Sequence, residues 1–380
     1  MHSGGLVMGL NKIKLGDYIE RSTVNNHDLK YGEKYIVGVN NQGVFTEPKG
    51  NIYGVNLKPY KIVKNGAFVY NPSRLDLGSI AYRTEGLCIV SHLYQIFYLN
   101  DKGKKIINPT YLYIYFHRNE FFREVNFRNF GSQRPEFNLN DMSDLEIALP
   151  SLQIQQKYVN VYNAMLANQQ SYERGLEDLK LTCDAYIEEL RRRMPCEPIG
   201  KYLIRHDIRN GENGTKNVMG VSTSKTFREP TSKVDKNNLA KYKVVKPRWI
   251  SFVQTTHNEK VFAYALNNTM EDIVVTPVNE VFSVKEDKLL PEYLSMFFNR
   301  TEFDRYARFH SWGSARETFT WDDLVHVELP IADIKIQKSL AALYTVYENR
   351  KYLSEKLKSK LKDICPILIK GSIEEAQKEA

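Results

Sequence analysis

The 380-residue chain is poor in the features that would make it an enzyme, a metal protein or a membrane protein. Its four cysteines, Cys88, Cys183, Cys196 and Cys365, stand far apart with no CxxC pair. That spacing suggests neither a disulfide framework nor a zinc site, and reduced thiols of a cytoplasmic protein fit best. No GxxxxGK[ST] loop and no GxGxxG after a strand are present, which excludes the usual phosphate-cradling motifs. The Asn/Asp-Pro-Pro-Phe/Tyr tetrapeptide that an amino-methyltransferase needs is also missing, since Asn71-Pro72-Ser73-Arg74 and Asn108-Pro109-Thr110-Tyr111 lack its second proline. The eight histidines are scattered, so His92, His117, His206 and His326 read as packed or surface residues. Glu286-Asp287-Lys288 reads as a solvated turn rather than part of a nuclease centre. No apolar run approaches the ~18 residues of a membrane span. Met1 to Leu10 has neither a basic stretch nor a long apolar one, so it does not read as a signal peptide.

What the chain has is itself, twice. Phe116-His117-Arg118-Asn119-Glu120-Phe121-Phe122-Arg123 recurs as Phe298-Asn299-Arg300-Thr301-Glu302-Phe303-Asp304-Arg305, five of eight positions matching at an offset of 182. The same offset aligns Glu47-Pro48 with Glu229-Pro230, and Tyr60-Lys61-Ile62-Val63-Lys64 with Tyr242-Lys243-Val244-Val245-Lys246. It also aligns Gly131-Ser132-Gln133-Arg134 with Gly313-Ser314-Ala315-Arg316. Many matches in one register mean duplication, and a duplicated chain suits a two-part target as a homodimer does.

Four segments follow. Residues 11–150 and 196–330 are mixed, with short aromatic and β-branched runs such as Phe68-Val69-Tyr70, Ser79-Ile80-Ala81-Tyr82 and Tyr94-Gln95-Ile96-Phe97-Tyr98 reading as strands. A helix is predicted from Pro109 to Arg123, its face carrying Leu112, Tyr115 and Phe116, matched by Leu294, Phe297 and Phe298. Residues 151–195 and 331–370 are long helices. The first has a seam of Ile154, Tyr158, Val161, Met165, Tyr172, Leu176, Leu179, Cys183, Ile187 and Leu190, with Asn168 filling one position. The second has Ile336, Leu340, Leu343, Tyr347, Leu353, Leu357, Leu361 and Ile364, stopping before Pro366. The entry signals repeat too, as Leu149-Pro150 with Gln156-Lys157 and as Leu329-Pro330 with Gln337-Lys338. The expected fold is α+β (mixed α/β): two similar globular domains and two long helices paired as an antiparallel coiled coil, with an internal pseudo-two-fold repeat. Such helices make a spacer of roughly 50 Å. The alternative is that each helix folds onto its own domain.

Net charge is +8 with a pI near 9, which favours a polyanionic partner. The polar loops carry side chains that pair with base edges or reach phosphate. Candidates are Asn71, Ser73 and Arg74; Arg128 with Ser132, Gln133 and Arg134; Thr255, Thr256, His257 and Asn258; and Arg308 with Ser314 and Arg316. In each Gly-Ser turn, backbone N–H groups can approach an anion that a nearby arginine neutralises.

The order of domain, helix, domain, helix, with the entries Leu149-Pro150-Ser151-Leu152-Gln153-Ile154-Gln155-Gln156-Lys157 and Leu329-Pro330-Ile331-Ala332-Asp333-Ile334-Lys335-Ile336-Gln337-Lys338, resembles the specificity subunit of type I restriction–modification systems. Asn71-Pro72-Ser73-Arg74 followed by Gly78-Ser79-Ile80 is similar to a loop of that family's target recognition domains, and the second copy departs there. The resemblance implies that each mixed domain reads one half of a bipartite site in double-stranded DNA. It implies that the helices set the gap and dock two methyltransferase subunits, and that a motor/nuclease subunit joins them. S-adenosylmethionine, ATP and Mg are then expected in the partner subunits, with no cofactor, no metal and no catalytic residue in this chain. A duplicated coiled-coil scaffold without sequence-specific DNA binding is the competing reading.

Overall fold

The computed structural model describes residues 10–48, 50–128, 136–211, 214–255, 261–311 and 317–379. The helices, in chain order, are α1 (Pro109–Phe116), α2 (Asn119–Arg128), α3 (Leu139–Ser143), α4 (Leu152–Glu173), α5 (Leu176–Arg193), α6 (Pro291–Phe298), α7 (Thr301–Phe309), α8 (Trp321–Val325) and α9 (Ile334–Glu379).

The chain divides into two compact units, one made of Met1–Ser171 with Leu353–Ala380, the other of Tyr172–Tyr352. Each is built on a four-stranded antiparallel sheet of the same order. In the first, Ile19–Arg21, Gln95–Leu99, Phe68–Tyr70 and Ile80–Tyr82 lie side by side. In the second the order is Leu203–His206, Asn279–Val284, Ile250–Val253 and Tyr264–Leu266. The predicted runs are therefore three of the four strands, Gln95–Leu99 and Phe68–Tyr70 in the middle of the sheet and Ile80–Tyr82 at one edge. Phe68 stacks on Phe97 at 5.0 Å, and both meet Phe116 of α1 edge-on. Phe262 and Tyr264 meet Phe298 of α6 the same way. Such contacts add about 0.5–1.5 kcal/mol each beyond area burial.

The helix expected from Pro109 to Arg123 is two helices, broken at His117 and again at Asn299 in the second copy. The cause is local. Nearly all of α1 is buried, so a straight continuation would leave the core. His117 leaves helical geometry at φ −97°, ψ 20°, and Arg118 folds its guanidinium over the Tyr115 ring at 3.8 Å. The turn brings Phe121 and Val125 back onto the same core.

The long helices depart from expectation in two places. Between α4 and α5 the chain breaks at Gly175, which holds φ +76°, a left-handed conformation that costs L-residues with a Cβ roughly 1–2 kcal/mol. The last helix does not stop at Pro366 but runs through it to Glu379. One lost backbone hydrogen bond is offset because Leu368, Ile369 and Ala376 beyond it are buried. The repeat explains the extension. Cys183 and Ile187 of α5 recur as Cys365 and Ile369 at the offset of 182, and all four are buried. α9 is thus the counterpart of α4 and α5 together.

Helix pairs with helix inside each unit. In the first unit α4 runs antiparallel to the end of α9, with Lys157 Nζ 2.8 Å from Glu375 and Gln169 Nε2 donating to Ser354 Oγ at 3.0 Å. In the second, Cys183 and Ile187 of α5 share a core with Leu340 and Tyr344 of α9. Each pair also packs onto its own globular part, as Val159, Tyr162, Leu361 and Ile369 do. Among seam residues, Ile154, Ile187 and Leu340 are buried and Tyr158, Met165, Leu179, Leu343, Tyr347, Leu357 and Ile364 half-buried. Val161 and Ile336 were misassigned, being 45% and 46% exposed. A helix that meets both a partner helix and a domain buries a wider, shifted stripe, so Val159 and Tyr162 take the inner positions. The buried polar seam residue is Gln169, not Asn168.

A buried polar join lies at the start of α4 and of α9. Gln155 is fully buried; its Nε2 donates to Ile106 O and Pro150 O, both at 2.8 Å, and its Oε1 accepts from Asn108 N–H at 2.8 Å. Gln337, also fully buried, donates to Lys288 O and Ala332 O at 2.7 Å and accepts from Leu290 N–H at 2.9 Å. Every partner is related by the same 182 residues. The repeat-related glutamine is therefore Gln155, one position before the Gln156-Lys157 pair that sequence comparison matched. Replacing either glutamine by leucine strands two carbonyls and an amide in the interior, at about 1–3 kcal/mol each. Gln155→Leu and Gln337→Leu are each expected to lower the denaturation midpoint of their own unit by several degrees; an unmoved midpoint would contradict the clamp.

Candidate nucleic-acid interface

Antiparallel register sends the C-terminal ends of Ile19–Arg21 and Phe68–Tyr70 and the start of Gln95–Leu99 to one end of the first sheet. From that end springs the loop Asn71–Ser79. It is built, not slack. Asn71 N–H donates to Ser79 O at 3.0 Å, and Asn71 Oδ1 accepts from Ser73 N–H at 3.1 Å, an Asx turn. Ser79 N–H donates to Arg74 O, and Leu75 plugs into the core with no exposed surface. Gly78 closes the loop at φ +95°, where a Cβ would lie 2.7 Å from Asn41 O. Ser73 and Arg74 are left at the exposed tip, and no partner holds the Arg74 guanidinium among the described residues.

A second loop is tied to this one. Phe137 N–H donates to Pro72 O at 3.0 Å, and in the other unit Phe319 N–H donates to Gln254 O at 2.8 Å. These bonds are related by the 182-residue offset. Ser132, Gln133, Arg134, Ser314 and Arg316 lie outside the described residues. So do Thr256, His257 and Asn258. Thr255, the repeat counterpart of Ser73, bridges Thr318. The anchors themselves join segments far apart in the sequence, a relation that no spacing displays.

Arg128 and Arg308 sit exposed in the last turns of α2 and α7, where cations suit the helix dipole. Arg128 is partly neutralised by Glu124 at 2.8 Å. The two arginines are not repeat counterparts. Phe127 and Phe309 are, and each is 81% exposed. The repeat is the signal that singles out this pair.

A small hairpin braces each loop from behind. In the first unit Gly38–Val39 pairs with Phe45–Thr46, and Val39 O accepts from Ser79 Oγ at 3.0 Å. The tip reaches α1, where the Tyr113 hydroxyl donates to Gly43 O. His117 shares this place, its ring 4.0 Å from that of Tyr113 and its Nδ1 2.8 Å from Tyr113 O. Burial pushes its pKa down to about 4. In the second unit the same position is ionic: Lys225 Nζ donates to Phe298 O at 2.6 Å and to Asp304 Oδ1 at 2.8 Å. The Glu286 turn is likewise structural, since Arg248 pairs with Glu286 and Glu292.

No group of three or more His, Cys, Asp or Glu side chains able to hold a metal occurs among the described residues. No described helix is long and apolar enough to cross a membrane.

Residues 10–175 match the family model of the type I restriction modification DNA specificity domain. The whole chain takes the fold of a Type-I restriction-modification system S subunit from M. genitalium, at 12% identity and a TM-score of 0.62 over 98% of both chains. An HsdS subunit from Thermoanaerobacter tengcongensis aligns over 96% of this chain and 97% of its own, at 15% identity and a TM-score of 0.38. No curated protein sequence matches. The anchored loops at the sheet ends carry the polar residues that the sequence singles out.

The environment of His117 is testable at once. The depressed pKa means that the folded state resists protonation, while the unfolded chain takes a proton near pH 6.5. Stability contributed by the neutral imidazole is complete above that value and falls away as pH drops from 6.5 toward 4. NMR titration of the imidazole is expected to show it neutral at pH 6; a protonated ring there would contradict the packing described.

Proposed function

We propose that this chain is a type I restriction–modification specificity subunit that reads a bipartite, asymmetric DNA site, one part with each unit. The observation that carries the reading is the doubled loop anchor, Pro72 with Phe137 and Gln254 with Phe319, on two sheets of one order. The frame is common, whereas the chemistry at the tips differs: Asn71-Pro72-Ser73-Arg74 stands against Val253-Gln254-Thr255-Thr256. Two readers of different half-sites need that combination.

In this reading lysine and arginine supply salt-dependent, sequence-blind attraction, and a few base contacts of about 1–3 kcal/mol each set the sequence. Residues 11–150 and 196–330 act as target recognition domains. Segments 151–195 and 331–370 set the gap between half-sites and dock two methyltransferase subunits; a motor/nuclease subunit joins for cleavage. Those subunits bring S-adenosylmethionine, ATP and Mg, and this chain contributes recognition without catalysis, in the cytoplasm.

Arg74→Ala is expected to weaken binding through one half-site about tenfold and leave the other half-site's preference intact, as read by competition with duplexes mutated in either half. Equal loss on both halves would contradict modular readout. Inserting four residues into both long helical segments should change the preferred gap between half-sites; an unchanged gap would refute the ruler.

A further inference from the structure

The two units are alike in frame but differ in charge at the sheet end beside the recognition loop. In the second unit Arg205 gives a bidentate pair to the buried Glu280, at 2.9 and 2.7 Å. Gln254 Nε2 donates to the same carboxylate, and Lys243 Nζ lies 3.9 Å from it and 3.4 Å from Asp207. Asp207 also pairs with Arg209 at 2.7 Å, so every cation there has a carboxylate partner.

Strand register gives the counterparts in the first unit. Arg21 opposes Phe97 as Arg205 opposes Phe282, and Tyr70 opposes Gln95 as Phe252 opposes Glu280. Lys61 bridges Asn25 as Lys243 bridges Arg209. Asp207 then corresponds to Thr23. Both cations have been kept and both carboxylates lost. Arg21 is exposed, and no ion pair holds it or Lys61 among the described residues; the Lys61 ammonium donates only to Tyr94 O, at 2.6 Å. Burial and the charge of Arg21 both disfavour the charged form of Lys61. Behind them, the hydroxyl of the fully buried Tyr70 and the Oε1 of Gln95 find no hydrogen-bond partner. Asp141, whose charge acts on Tyr70, is engaged in the cap of α3, accepting from Asn138 N–H at 2.9 Å.

Two like charges, a buried hydroxyl with its proton unspent and an amide that can present N–H when turned over make a set of donors without an acceptor. We infer that the Arg21–Lys61 sheet end of the first unit is an anion site that takes one phosphate of the DNA backbone, while the cations of the matching end of the second unit are held in internal ion pairs and take none. The inference rests on the DNA-reading role proposed above and adds an asymmetry to it: the first unit holds its half-site with more charge. Tyr70 and Gln95 act behind the cations, on a phosphate oxygen or through a bridging water.

The test is the salt dependence of binding by the full chain, assembled with its methyltransferase subunits, to a duplex bearing its selected site. Arg21→Gln should reduce the slope of log K against log salt by about 1, and Arg21→Lys should restore it. Arg205→Gln should leave the slope unchanged. An unchanged slope in Arg21→Gln, or equal changes at Arg21 and Arg205, would overturn the inference. Titration with inorganic phosphate at constant ionic strength separates the sources. Saturable, Arg21-dependent phosphate binding with no effect of Arg21 on the DNA slope would assign the site to a free anion and overturn its assignment to DNA. If the unmodified assembly does not distinguish its site from a scrambled duplex, the recognition role itself fails, a result separate from any behaviour of Arg21.

Discussion

One buried glutamine fixes the architecture of each half. A long polar-faced helix has to be attached to a mixed domain at a defined angle, and its entry lies where backbone groups would otherwise be buried without partners. Gln155 and Gln337 use all that an amide side chain offers in this setting, two donors and an acceptor, on three backbone groups that no repeating structure satisfies. Because the partners come from both the loop before α1 or α6 and the turn before the long helix, the amide ties helix entry to the sheet-backed core. The aromatic packing of Phe116 and Phe298 then follows from where α1 and α6 are held.

In the proposed role, recognition depends on that rigidity at one remove. The loop tips extend from the sheet ends, and what they present is set by bonds behind them: an Asx turn at Asn71, a left-handed glycine at Gly78, and the tie from Pro72 to Phe137. Exposed side chains on a fixed backbone lose less freedom on binding than side chains on a loose loop. The two halves solve the bracing differently, with a half-buried neutral His117 in one and an ion pair of Lys225 with Asp304 in the other. The frame is held in common while the loop chemistry has diverged.

Much of this was legible in the sequence, and the reasons for the misses are physical. The repeat in one register gave two similar domains, and the strands at Phe68–Tyr70 and Ile80–Tyr82 followed from their aromatic and β-branched runs. The break at His117 was hidden because apolar residues continue on both sides of it. Pro366 was read as a stop because proline destabilises an isolated helix, whereas burial of Ile369 and Ala376 carries the helix past it. The shifted seam at Val161 reflects a helix with two sets of neighbours, which a heptad pattern does not encode. For the site, loop residues such as Arg74 were found by their chemistry. The charge asymmetry between Gln95 and Glu280 was not, since the pairing needs strand register offset from the repeat by three residues.

The central claim is that one chain carries two independent readers of different sequences. The most direct measurement is selection from a randomised duplex pool by the chain assembled with its methyltransferase subunits. The account predicts enrichment of two short, different motifs separated by a fixed gap. Enrichment of a single motif, or of duplexes regardless of sequence, would contradict it.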